Sequence, residues 1–166
     1  LRELTREPAT VFSEQMRAIC AACGVAVVFV PEFSGSRASG VTRWLTPVKA
    51  LIQLSLRYRT DDHLWFTVFH ETGHVLRHGK TDVWIEAVAA CPSDDPHEAE
   101  ADKFARDTLI PLRDARELPG LRSDDQVRRF AERLGVAPGI IVGRTRRPRS
   151  WTSTSGRSSS PPTTPD

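Results

Sequence analysis

The chain has 166 residues, 39% of them apolar and 27% charged, with a formal net charge of +2. That length fits one domain with a real hydrophobic core, and so even a charge balance gives no argument for a nucleic-acid or membrane-surface partner. No apolar run approaches the roughly 20 residues of a membrane helix, and Leu1-Arg2-Glu3-Leu4 does not open a signal peptide.

Residues from Pro8 to Cys23 predict a helix: Pro8 suits a first turn, apolar residues recur from Val11 to Cys23 at helical spacing, and Gly24 stops it. The apolar run Val25–Val30, bounded by Gly24 and Pro31, predicts a buried strand, and Phe33–Gly40 a loop. Val41–Leu45 and Leu51–Tyr58 are two further strands. In the second, Leu51, Gln53, Ser55 and Arg57 alternate with Ile52, Leu54, Leu56 and Tyr58.

Asp61-Asp62 supplies capping chemistry for a helix running to about His78, apolar enough to lie in the middle of a domain. Val83–Ile85 reads as a small strand and Cys91–Asp95 as a loop. Pro96 opens a helix that Pro111 ends, and a last helical pair spans Asp124–Leu134 and Pro138 to about Arg144. From Arg146 to Asp166 the Arg/Ser/Thr/Pro composition predicts disorder. The three cysteines, Cys20, Cys23 and Cys91, include a lone C-x-x-C that reads as small residues near a helix end; so sparse a count fits a reducing, cytoplasmic setting.

The chemistry concentrates in His70-Glu71-Thr72-Gly73-His74, an H-E-x-x-H. Two histidines at this spacing share one helix face, about 6 Å apart along the axis, and both can reach one zinc ion at about 2.0–2.1 Å. Glu71 points roughly 100° around the helix from His70, where its carboxylate can take a proton from water at the ion. Gly73 leaves the metal face uncrowded. The competing reading is a buried helix whose histidines merely hydrogen-bond.

A third ligand is needed. His78 lies about 12 Å along the axis from His70, too far for all three histidines to share an ion. The metzincin pattern wants a histidine at position 80, which is Lys80, and a later methionine, whereas the sole methionine is Met16. The remaining candidates lie on the Pro96 helix. Glu98 and Asp102 share one face and Glu100 points elsewhere. This arrangement suits a glutamate-type zincin, with Glu98 on the metal and Asp102 accepting a hydrogen bond from a ligand histidine. His97, turned about 100° away, is the rival ligand, and a solvated acidic face is the plain alternative.

These residues resemble the ImmA/IrrE metallo-endopeptidases. The likeness rests on Trp65–His78 and on Glu98–Pro111, which is similar to that family's E-x-E-A-(N/D)-x-F-A…L-(L/M)-P segment. Phe130–Arg144 is similar to the family's C-terminal helical element, and Gly40–Pro47 to members described as HigA-type antitoxins. The resemblance implies an α+β, small zincin-like (gluzincin-type) fold: a short twisted sheet packed on the two zinc helices, with a C-terminal helical pair. The chain is expected to divide into an N-terminal helix (1–24), a metallopeptidase core (25–120), the helical pair (121–145) and the tail (146–166), with the resemblance covering roughly residues 25–144. The resemblance also implies one Zn2+ ion and a role in bacterial stress, mobile-element or toxin–antitoxin regulation, often behind an N-terminal DNA-binding domain. A start at leucine suggests a fragment lacking that domain, and the change at Thr145 a truncation or shifted frame.

The expected activity is zinc-dependent endopeptidase hydrolysis of a protein or peptide, such as a repressor or toxin. His70, His74 and Glu98 hold the metal, Glu71 is the base, and Asp102 orients a ligand. The strand Leu51–Tyr58 would offer the edge on which an extended peptide adds, and Arg57, Tyr58 and Arg77 are the candidate oxyanion donors. The alternative is an antitoxin or regulator fragment that uses the zinc fold for sensing or protein binding. DNA contact by this chain alone is not expected, since Ala137–Gly143 offers few side chains to read bases.

Overall fold

Helical periodicity over Val11–Cys23 produces α1 (Ala9–Ala22), which buries Phe12, Met16 and Cys20 along one stripe. Pro8 is the N-cap in extended backbone, just outside the helix instead of in its first turn. A 3₁₀ turn over Arg2–Arg6 precedes it and was not foreseen from sequence. It ties the start of the chain to its far end: Arg2 Nε donates to the Leu109 carbonyl at 3.3 Å, and Thr5 Oγ1 accepts from the Ala137 N–H at 3.2 Å. The computed structural model describes residues 1–31, 38–55, 60–79, 83–87 and 95–146, with 38, 83–87 and 146 as backbone only. Arg57, Tyr58, Lys80, Cys91 and the tail expected to be disordered beyond Arg146 lie outside the described residues.

Gly24, at φ 77°, turns the chain into β1 (Val25–Val30). Strand β2 (Ala38–Thr46) reverses through Pro47-Val48 into β3 (Lys49–Ser55), and β4 (Val83–Ala87) completes the sheet in the order β1-β3-β2-β4. β2 begins within the stretch read as loop, at Ala38. β1 runs parallel to β3, while β2 is antiparallel to both β3 and β4. Two expectations change here. β3 is interior over Lys49–Ser55, paired on both sides, so this part of the strand proposed to receive a peptide has no open edge; among the described residues the sheet's outer strands are β1 and β4. And β1, read as buried, holds Val27 in the core while Ala26 and Val28 are exposed, because an outer strand covered by α1 buries one face. The alternation in β3 is as the sequence indicates, with Ile52 and Leu54 inside.

The central element is α2 (Asp61–Arg77), which packs on β2, β3 and β4. Its N-cap is Thr60, without a side-chain capping bond; Asp61 and Asp62 stand in the first turn, where their charge complements the helix dipole. Trp65 is fully buried, its ring 5.1 Å from Phe12 of α1. Helix α3 (Pro96–Leu109), capped by Asp95, lies along α2. The sheet packs on the first of the two expected zinc helices, and α3 lies against that helix, in keeping with the small zincin-like α+β arrangement expected.

Gly73 makes this crossing possible. A Cβ there would come within 3.1 Å of Ala101 Cα and 3.3 Å of Phe104 Cδ1, so this glycine serves helix–helix approach and not an open metal face. After a short turn of helix, α4 (Leu112–Ala115), a capping box at Ser123 and Gln126 starts α5 (Asp124–Leu134). Gly135 in the left-handed region ends it, and α6 (Pro138–Arg146) returns against α2. At that contact a side chain on Gly143 would collide with the Asp62 carboxylate.

Candidate metal centre

Helix α2 aims three polar side chains into the protein interior: His70 is 1% exposed, and Glu71 and His74 are 0% exposed. Groups that polar stay buried only with partners. The two histidines, one turn apart, bring their Nε2 atoms to 2.9 Å. From α3, Glu98 meets both: its Oε2 lies 3.2 Å from His70 Nε2 and its Oε1 3.4 Å from His74 Nε2. Asp102, one turn further along α3, places Oδ1 3.0 Å from His70 Nδ1, on the far side of that ring. The spacing of four on each helix thus puts Glu98 and Asp102 on the same histidine from opposite ends.

Among the described residues, His70, His74 and Glu98 form the one group that brings three such ligand atoms within 4.8 Å of one another. A tetrahedral ion with arms of about 2.0–2.1 Å needs ligand atoms roughly 3.3–3.4 Å apart. Separations of 2.9, 3.2 and 3.4 Å meet that need once the histidine pair opens slightly. The donor set fits a zinc-sized cation.

Burial, with the neighbouring His70 and His78, lowers the His74 pKa from 6.5 to about 3. The imidazole is therefore neutral, the form that ligates metal. The sign for stability follows. Between those two pH values the unfolded chain takes up a proton at His74 that the folded chain refuses, so this contribution is present above about 6.5 and is lost as pH falls toward about 3. In chemical denaturation of the metal-free chain, the difference in midpoint between the native protein and His74→Gln should shift against the native protein as pH is lowered across that window.

Glu71 reaches the sheet at β2. Thr42 of β2, fully buried, donates from Oγ1 to Glu71 Oε2 at 2.5 Å, and lies 3.3 Å from the Glu71 carbonyl. Gly40, two residues earlier on the same strand, admits the carboxylate: a Cβ there would collide with Oε1. Neither residue was picked out from sequence. The available signal was a glycine inside a β-strand, which often marks close approach of another group. Thr42→Val, which keeps the shape but removes the donor, should destabilise the fold by about 1–3 kcal/mol, read from the urea unfolding midpoint.

The other sequence candidates fall elsewhere. His97 is exposed and holds Asp95, Nδ1 to Oδ1 at 3.0 Å, so it does not join the three-ligand group. His78 sits behind His74, with the two Nδ1 atoms 2.8 Å apart. Glu100, read as pointing elsewhere, has its Oε2 3.4 Å from His78 Nε2. The Arg77 guanidinium lies over the Phe104 ring, 5.7 Å from its centroid, which occupies it in α2–α3 packing.

A helix bearing His-Glu-x-x-His against a sheet, with an acid-bearing second helix across it, defines a small zincin-like α+β domain. The family model for the IrrE N-terminal-like domain matches residues 26–146, well over half of the chain, and the protein belongs to that family of zinc-dependent metallopeptidases. The search of curated proteins found no match. No helix among the described residues is long and apolar enough to cross a membrane.

Proposed function

We propose that the protein is a zinc metallo-endopeptidase in which His70 Nε2, His74 Nε2 and Glu98 hold the ion and Glu71 is the general base. The carrying observation is the convergence of these three ligands from two helices, with Asp102 behind one of them. When bound, zinc supplies Lewis acidity toward water and toward the scissile carbonyl. Glu71 accepts a proton from the attacking water at its carboxylate and passes it to the leaving amine nitrogen. Thr42 holds that carboxylate at Oε2, so the base does not have to be ordered during the reaction. Asp102 accepts from His70 Nδ1–H and keeps Nε2 turned toward the ligand cluster.

An outer strand suits an extended peptide better than β3, and β4 is the one that borders β2, the strand carrying Gly40 and Thr42. The substrate class proposed is a protein segment in extended form, in the cytoplasm. The proposed setting, regulation of stress, mobile elements or a toxin–antitoxin pair with a HigA-type association, rests on the sequence resemblance of Trp65–His78, Glu98–Pro111 and Gly40–Pro47 alone. Assaying an unstructured protein substrate with the native chain and with Glu71→Gln, beside metal analysis of both, tests the reading. Equal hydrolysis by both would overturn the assignment of the base.

A further inference from the structure

The two histidines of the ligand cluster are not supported alike. His70 has a carboxylate behind it, whereas His74 has another imidazole. His78 is the C-cap of α2, its N–H donating to the His74 carbonyl at 3.2 Å, so its side chain folds back along the helix end. That side chain is 1% exposed. The His97 ring meets it edge-on with centroids 4.8 Å apart, which leaves the imidazole little freedom to turn. Its two nitrogens face different partners: Nδ1 faces His74 Nδ1 at 2.8 Å, and Nε2 lies 3.4 Å from Glu100 Oε2, within ion-pair distance but outside hydrogen-bond geometry, so a small turn of the Glu100 carboxylate would complete the link.

Proton accounting gives this row a direction. If His74 presents its Nε2 lone pair to a cation, its ring proton must sit on Nδ1. His78 Nδ1 can accept that proton's hydrogen bond only if it carries no proton itself. The His78 proton then sits on Nε2, toward the Glu100 carboxylate. We propose that His78 and Glu100 form an orienting relay for His74, with His78 a positioning residue that fixes the tautomer and ring angle of the ligand. The relay is the counterpart of Asp102 behind His70, and it rests on the metal reading above. His78 is thereby assigned a role one shell behind the cluster, consistent with its not completing a three-ligand group of its own among the described residues.

The test is zinc affinity, measured on the full chain by competition with a chromophoric chelator, together with ¹⁵N NMR of the histidine rings in neutral-to-basic buffer. His78→Phe, which keeps a ring but removes both nitrogens, should weaken zinc binding about 10–100-fold. His78→Asn, whose Oδ1 stands near the position of Nδ1, should recover most of the loss, and Glu100→Ala should weaken binding in the same direction by less. The NMR should report His78 with its proton on Nε2 and a bare Nδ1, which a side chain serving only to fill space would not require. Native-like affinity in His78→Phe, or a proton on His78 Nδ1, would overturn the relay and leave the metal reading standing. Failure of the native chain to take up zinc would overturn both. Should His78→Phe fail to fold, the ring tautomer and Glu100→Ala decide.

Discussion

Glu71→Gln is expected to bind one zinc ion per chain as the native protein does, and to hydrolyse peptide bonds about 10²–10⁴ times more slowly. The substitution keeps the side chain's length and its Oε acceptor, so the hydrogen bond from Thr42 survives and the buried site keeps its shape. What it removes is the capacity to take up a proton near neutral pH. Glu71 is buried at the α2–β2 contact and does not belong to the ligand group, so zinc uptake should be indifferent to the change. Turnover numbers and metal content measured on the same preparations separate the two effects. If zinc is lost along with activity, Glu71 is acting on the metal site and the proposed division of roles is wrong.

The second large effect is expected from the ligands. His74→Ala should abolish stoichiometric zinc and with it hydrolysis, with affinity falling by more than about 100-fold, beyond what loss of an outer partner costs. Glu98→Ala should do the same, because its two oxygens face both histidine Nε2 atoms. His97→Ala, one residue away on α3, should leave zinc bound, since that imidazole is exposed and held by Asp95. The contrast between adjacent residues settles which of them supplies the third ligand. Elemental analysis after dialysis against a weak chelator reads it directly. Zinc retained in Glu98→Ala but lost in His97→Ala would reverse the assignment.

Much of this was legible because helical spacing is local information. A separation of four residues puts His70 with His74, and Glu98 with Asp102, on common faces whatever the rest of the fold does. Elimination of His78 as a shared ligand needed only the rise per residue. The α+β class and the alternation of β3 were also within reach. Glu100 does point away from the ligand face, but what it meets there, His78 at the end of another helix, is not information its own helix carries. Gly73 was assigned to the wrong space for a similar reason: what crowds a glycine is set by the element crossing it, here α3 at Ala101 and Phe104.

By itself, then, the sequence determined the two helices, the faces they present and the residue types on each, since periodicity and capping act within a few residues. Only the tertiary structure decided that β3 lies inside the sheet, that α3 crosses α2 at Gly73, and that Thr42 and Gly40 of β2 enclose the Glu71 carboxylate. Strand order and helix crossing arise from contacts between residues some 30 positions apart, as for Thr42 and Glu71. A period-2 or period-3.6 pattern states which side of an element is buried and carries no record of what buries it.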